Sequence, residues 1–238
     1  MEKRAQVYEG KAKILYATDD PDRFIMHFKD DATAFNRKKI GRWEGKGVVN
    51  CRISAILLTL CERAGVPSHF VQRLNDRDQL VRQVSIIPVE VVVRNVVAGS
   101  LAKRLGLPEG QALSRPSIEF YYKSDSLDDP MILETWALEF GWATESELAT
   151  IKRYALEVNR VVGRFFDQLG IQLIDFKIEF GKDKDGNVIL ADEITPDGSR
   201  LWEKGTGRKL DKDRFRHDLG GVSEAYEELL ARVEAAAA

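Results

Sequence analysis

Cysteine and histidine are scarce in this chain: 238 residues include two cysteines, Cys51 and Cys61, and three histidines, His27, His69 and His217. Two thiols cannot build a disulfide framework, so a reducing, cytoplasmic setting is expected. So few sulfur and imidazole ligands also leave little material for a zinc centre. No apolar run approaches the roughly 20 residues of a membrane span. Met1-Glu2-Lys3-Arg4 has no apolar segment behind its charges, which argues against a secretory signal. An excess of either charge is missing too. Lys and Arg total 36 against 38 Asp and Glu, a net charge of −2 with a pI near 6.0. That balance excludes a bulk polyanion binder, because backbone affinity for nucleic acid needs concentrated cations. What is present is a globular composition, 44% hydrophobic and 31% charged, long enough for one large α/β unit or two closely packed lobes.

Hydrophobic periodicity predicts the elements. Lys13-Ile14-Leu15-Tyr16 and Phe24-Ile25-Met26-His27-Phe28 read as strands either side of the turn-rich Asp19-Asp20-Pro21-Asp22. Val49, Ile53, Ile56, Leu57, Leu60 and Ala64 recur at helical spacing, which predicts a helix over about 47–64 closed by Gly65. One β-rich run lies around Phe70. A second, from Leu80 to Val97, holds enough valine to suggest a buried central strand. Ser100–Leu105 suggests a short helix and Ile118–Lys123 a strand. Thr144 and Glu147 have capping-box spacing ahead of the stripe Leu148, Ile151, Ala155, Val158, Val162, Phe165 and Leu169. They predict the longest helix, over about 145–169. A hairpin over 171–194 and one or two terminal helices complete an order that suits a two-lobed α+β enzyme.

Charge patterning adds detail. Residues 124–151 carry seven acids (Asp125, Asp128, Asp129, Glu134, Glu139, Glu145, Glu147) and no Lys or Arg, consistent with a solvated surface leading into a helix N-terminus. In Ile174-Asp175-Phe176-Lys177-Ile178-Glu179-Phe180, period-two geometry places Asp175, Lys177 and Glu179 on one strand face. A two-residue turn centred on Asp185-Gly186 would pair Lys184 with Asn187 and set Glu179 opposite Asp192. Facing carboxylates repel. A divalent cation bridging nucleotide phosphates would compensate them. An exposed amphipathic hairpin, or a longer turn that breaks this register, fits the alternation equally well.

Three further segments suit phosphate handling. Gly10-Lys11-Ala12-Lys13 offers a glycine and two lysines that would share a face on a strand, although such a tetrapeptide is commonly a surface turn. Arg94 ends the valine run, where a buried guanidinium needs an internal acid or an anionic ligand. Ser100 would cap the next helix. Thr195-Pro196-Asp197-Gly198-Ser199-Arg200 is a turn-rich loop carrying an acid, a hydroxyl and a guanidinium. Cys51 and Cys61 fall on the apolar helix and read as inert buried thiols.

Taken in order, these segments resemble one family. Glu9-Gly10-Lys11-Ala12-Lys13, Val91-Val92-Val93-Arg94-Asn95 with Ala98-Gly99-Ser100-Leu101, and Asp175-Phe176-Lys177-Ile178-Glu179-Phe180-Gly181 are similar to SAICAR synthetases. So are Asp192-Glu193-Ile194-Thr195-Pro196-Asp197-Gly198-Ser199-Arg200-Leu201-Trp202 and Leu210-Asp211-Lys212-Asp213-Arg214-Phe215-Arg216. Asp30–Asn36 also resembles the family, with Arg37 standing where a small residue is expected.

The resemblance implies a reaction of purine biosynthesis. ATP, L-aspartate and carboxyaminoimidazole ribonucleotide (CAIR) give the succinocarboxamide ribonucleotide SAICAR, ADP and phosphate, through an acyl phosphate. It implies a β-rich N-terminal ATP-binding lobe, residues 1–88, and a larger α/β lobe, residues 89–238, akin to protein kinases and ATP-grasp enzymes with ATP in the cleft. Lys11, Ala12 and Lys13 would hold ATP, with Lys123 a further contact. Glu179 and Asp192 would hold its Mg2+. Glu90, Arg94, Ser100, Ser199 and Arg200 would bind CAIR, and Lys177 and Asp197 would be catalytic. The implied partners are small molecules and further copies of the chain. A small-molecule kinase of related fold is the alternative enzyme. A nucleotide- or RNA-binding module would need a basic stripe with exposed aromatics.

Overall fold

In the computed structural model the described residues are 1–34 and 38–237, so the expectation for Phe35, Asn36 and Arg37 lies outside them. The chain begins with β1 (Gln6–Glu9), β2 (Lys13–Ala17), β3 (Arg23–Phe28), β4 (Asp31–Ala34) and β5 (Lys39–Arg42), followed by α1 (Lys46–Arg63). Then come β6 (Phe70–Arg73), β7 (Asp78–Arg82), β8 (Ser85–Val96), α2 (Gly99–Leu105), β9 (Ala112–Tyr122) and β10 (Met131–Ile132). The remainder is α3 (Glu134–Glu139), α4 (Glu145–Gln168), β11 (Ile171–Lys182), β12 (Val188–Ala191), β13 (Ser199–Glu203), α5 (Asp213–Arg216) and α6 (Val222–Ala237).

Two antiparallel sheets organise this mixed α/β fold. The first runs β1-β2-β3-β7-β6, and the second runs β10-β9-β8-β11-β12, with β13 pairing along the other half of β11. The expected run from Leu80 to Val97 is therefore two strands. It breaks between Arg82 and Ser85, where the chain leaves the first sheet for the second. Burial explains why the pattern hid the break: Leu80 and Val81 are as buried as the valines of β8. The predicted strand at Ile118–Lys123 is the inner end of the longer β9.

The second sheet is apolar on one face. Val89, Val91 and Val93 of β8 and Phe176, Ile178 and Phe180 of β11 pack in one cluster with Ile53 and Leu57 of α1 and the expected stripe of α4. Each fully buried aliphatic or aromatic side chain contributes about 1.5–3 kcal/mol. The α4 N-terminus has the complete capping box: Thr144 Oγ1 accepts from Glu147 N, and the Glu147 carboxylate accepts from Thr144 N. Glu147 also pairs with Lys182, Glu134 with Lys152 and Asp125 with Lys11, so acids of the stretch have cationic partners.

The β11–β12 hairpin corrects the expected register. Asp183 N donates to Asn187 O at 3.0 Å, leaving a three-residue loop, Lys184–Gly186, with Gly186 at φ 82°. Asp183 stabilises the extra residue by accepting from the backbone N–H groups of Asp185 and Asn187. Glu179 thus faces Ala191, not Asp192. The carboxylate that does face Glu179 is Glu90, across the β8–β11 pair.

Candidate active site

Alternation gives the second sheet a polar face opposite its apolar one. Glu90 and Arg94 of β8, Glu119 and Tyr121 of β9, and Asp175, Lys177 and Glu179 of β11 share it. A cavity of about 540 Å³ lies over part of this face. Its opposite wall comes from the first sheet, with Leu15, Phe24, Met26 and Val81, and from Ile86 at the start of β8. One side is therefore apolar and the other densely charged. A hollow of about 790 Å³ between Asp22 and the β11–β12 loop contains none of the expected site residues.

Lys177 answers the repulsion between the two facing carboxylates. Its Nζ donates to Glu90 at 2.8 Å and to Glu179 at 2.9 Å, and Lys123 donates to Glu179 at 2.9 Å. Burial alone would raise the Glu179 carboxyl, but Lys177, Lys123 and Lys13 hold it well below the carboxylate range. Glu90, dominated by burial, moves upward instead. Burial would lower the Lys177 ammonium, yet Glu179 and Glu90 push it above the ordinary lysine value. The two carboxylates thus favour the charged form of Lys177.

Lys11 and Lys13 do not share a strand face; of the two readings the sequence allowed, the segment takes the turn. Gly10 N donates to Lys13 O at 2.8 Å, so Lys11 and Ala12 sit in the β1–β2 turn and only Lys13 enters β2. Lys11 reaches Asp125 at 2.8 Å, while Lys13 pairs with Asp192 and lies 3.6 Å from Glu193. Both lysines and Ala12 line the cavity. Burial lowers the Lys13 ammonium below its usual value.

Glu179, Asp192 and Glu193 open onto the same cavity, and Glu193 Oε2 is buried without a hydrogen-bond partner. These are hard oxygen donors, the type that suits Mg2+. Among the described residues no three His, Cys, Asp or Glu side chains converge tightly enough to hold a metal alone.

A second cluster occupies the same sheet face beyond the cavity lining. Arg94, only 3% exposed, donates from Nε to Glu119 at 2.8 Å, from Nη1 to Asp175 at 2.7 Å and from Nη2 to Ser100 Oγ at 2.9 Å. Ser100 therefore orients Arg94 and does not cap α2, whose N-cap is Ala98. Arg200 also reaches Asp175, at 2.9 Å, and donates from Nε to Asp213 at 2.8 Å. Gly99 has φ 52°, and a Cβ there would come within 2.2 Å of Arg200 Nη2. Ser199 is buried opposite Phe176.

Asp197 lines the cavity but is engaged from behind. Lys46 Nζ lies 2.5 Å away, Tyr226 Oη donates at 2.7 Å, and Lys212 Nζ is 3.9 Å distant. Burial opposes the charge, but Lys212 and Lys46 hold the carboxyl well below its ordinary value. Lys46, Lys212, Tyr226, Glu119, Tyr121 and His69 were missed in the sequence. Lys46 falls just ahead of the helix expected over about 47–64 and Tyr226 in the terminal helical segment, and nothing local ties them to residue 197. Glu119 and Tyr121 had a usable signal, the same period-two alternation that exposed β11.

A family profile described as SAICAR synthetase matches residues 6–233. The phosphoribosylaminoimidazole-succinocarboxamide synthase of Novosphingobium aromaticivorans is 55% identical over 236 residues, covering 98% of this chain and 90% of that protein. Among solved structures, the enzyme of that name from Ehrlichia chaffeensis superposes with a TM-score of 0.95 at 46% identity, covering 97% of this chain and 98% of the other. A SAICAR synthetase in complex with ADP gives a TM-score of 0.93 at 49% identity, covering 96% and 97%.

Proposed function

The chain belongs to the SAICAR synthetase family, and from that premise we propose how its cavity serves the reaction. The protein is an ATP-dependent carbon–nitrogen ligase of purine biosynthesis, joining L-aspartate to the carboxylate of CAIR to give SAICAR, ADP and phosphate. One observation carries the site reading: Lys177, Lys123 and Lys13 converge with Glu179 and Asp192 on one cavity whose other wall is apolar.

In this reading the cavity is the ATP cleft between a β-rich lobe and a larger lobe in a kinase- or ATP-grasp-like arrangement, the boundary expected at residue 88 moving to the break between Arg82 and Ser85, since 88/89 would divide β8. The adenine base lies against Leu15, Phe24, Val81 and Ile86. The phosphates meet Lys11, the Ala12 turn, Lys13 and Lys123. Glu179 and Asp192 would hold Mg2+, which would supply charge neutralisation at the phosphates. Glu90, Arg94, Ser100 and Arg200 receive CAIR, its phosphate competing with Asp175 for the guanidinium groups, while Ser199, whose side chain shares the face of Phe176, offers its backbone. Lys212 and Arg216 also line the cavity, and an aspartate carboxylate bound to them would share them with Asp197 and Asp213.

A carboxylate is a poor electrophile towards an amine, so CAIR is activated first. Its carboxylate oxygen attacks the γ-phosphorus and ADP leaves. The aspartate amine then adds to the acyl carbon, the C–O bond to phosphate breaks, and the amine proton passes to solvent. Lys177 neutralises charge beside the transferring group, and Asp197 keeps Lys46 and Lys212 in place. Such transfers depend mainly on positioning and electrostatics. The cysteines take no part, since burial pushes both thiols up to about 12.

The test is ADP release with each substrate omitted in turn. ADP should form only with CAIR, aspartate and Mg-ATP together; undiminished release without aspartate would identify a small-molecule kinase. Glu179→Gln and Asp192→Asn should lower metal-dependent turnover more than stability, and normal turnover in both would remove the metal assignment.

A further inference from the structure

Asp192 stands at a strained corner of the site. It follows the last residue of β12 and has φ 60°, a left-handed conformation that L-residues with side chains rarely adopt. From there its carboxylate meets Lys13. Something must hold the backbone in that corner.

The support comes from the segment entering β6. Leu190 N donates to Pro67 O and His69 N donates to Leu190 O, each at 2.8 Å, so Ser68 and Leu190 form a parallel bridge. In a continuing parallel ladder, the next donor would be the backbone N–H of Val71, aimed at the carbonyl of Asp192. The chain does not continue that way. His69 O instead accepts from Arg82 N at 2.7 Å, and Phe70 turns to pair with Val81.

The vacated rung is filled by a side chain. His69 Nε2 lies 2.8 Å from the Asp192 carbonyl oxygen. A carbonyl only accepts, so Nε2 carries the hydrogen. The imidazole is 5% exposed, and its Nε2–H is committed to the Asp192 carbonyl.

We propose that His69 is a positioning residue for the nucleotide's cation. Its Nε2–H completes the ladder that the backbone abandons, fixing Asp192 in the left-handed corner from which its carboxylate faces the cavity. This rests on the reading of Asp192 as a cation ligand. It gives His69 a role that acts through a backbone carbonyl, without contact to any substrate.

The experiment measures Mn2+ binding to the protein–ADP complex by electron paramagnetic resonance, alongside metal-free ADP binding by calorimetry. Loss of an outer partner of a metal ligand typically costs about 10–100-fold in affinity. His69→Leu should therefore weaken Mn2+ roughly tenfold, with metal-free ADP binding unchanged. His69→Gln, which can place an amide N–H near the same point, should recover most of the affinity. His69→Asn, one bond too short, should not, and it reads the same loss if the leucine variant does not fold. Parental Mn2+ affinity in His69→Leu or His69→Asn would overturn the proposal, as would equal loss in the glutamine variant. Asp192→Asn separates the two levels. If it impairs Mn2+ binding while the His69 variants do not, only the positioning role falls. If it leaves Mn2+ binding intact, the cation reading falls and the positioning role with it.

Discussion

Lys177→Met retains most of the aliphatic stem and deletes the charge that two facing carboxylates share. After the change, Lys123 remains 2.9 Å from Glu179 and 3.8 Å from Glu90, so Glu90 loses most of its compensation. Removing one partner of a buried ion pair costs roughly 3–5 kcal/mol. The Lys177 side chain keeps 36% of its accessibility towards the cavity, and solvent screening there reduces the expected loss to about 2 kcal/mol at pH 8. For a chain of this length that is about 4–8 °C in Tm.

The deficit depends on pH. In the parent protein, the depressed Glu179 carboxyl contributes stability that is present above its ordinary value of 4.5 and fades as pH falls through the folded-state value. The elevated Lys177 ammonium contributes stability that is complete below its ordinary 10.5 and is lost only as pH rises through its folded-state value. In the variant both carboxyls move upward, and protonation of either relieves the repulsion. The difference between variant and parent should therefore shrink from pH 8 to pH 5. Urea unfolding at the two pH values measures it. A deficit of equal size at both, or none at pH 8, would refute the assignment of Lys177 as the shared counter-charge.

Other outcomes follow from neighbouring features. Arg94→Ala removes the cation that Glu119 and Asp175 share but leaves Arg104 on Glu119 and Arg200 on Asp175, so urea unfolding should show a loss smaller than the roughly 3–5 kcal/mol of an uncompensated buried pair; a parental midpoint would mean that water replaces the guanidinium. Gly99→Ala forces a left-handed alanine into Arg200, so stability should fall by at least about 1 kcal/mol. The KM for CAIR should rise in that variant with the KM for ATP little changed, whereas equal rises would place Arg200 elsewhere in the reaction. Cys51 and Cys61, both fully buried and pushed up to about 12, should react with a thiol reagent at pH 8 only after unfolding. Rapid labelling of the native protein would show that α1 opens.

Local signals in the sequence were strong where one element settles its own geometry. Thr144 and Glu147 announced the start of α4, and the alternation around Lys177 announced which face of β11 carries charge. The register of the following hairpin was not legible, because Asp183 accepts two backbone hydrogen bonds and stabilises a loop one residue longer than Asp185-Gly186 suggests. The consequence was a misidentified opposite number for Glu179: Glu90, 89 residues earlier in the chain, and not Asp192 in the same hairpin. Lys46 and Tyr226 were invisible for the same reason. Their meeting at Asp197 depends on helices near opposite ends of the chain packing together, which no local spacing encodes.

The two-faced β11 has a consequence for how this enzyme can fail. A slip of one residue against β8 would turn Asp175, Lys177 and Glu179 into the packed interior and expose Phe176, Ile178 and Phe180. Such a slip would bury three ionisable groups among hydrocarbon, at a cost comparable to the whole stability of a domain. A folded population with a miswired site is therefore not a stable product of synthesis. Quality control is intrinsic to the strand: the alternation that sets out its charged face also rejects the chain that sets it out wrongly.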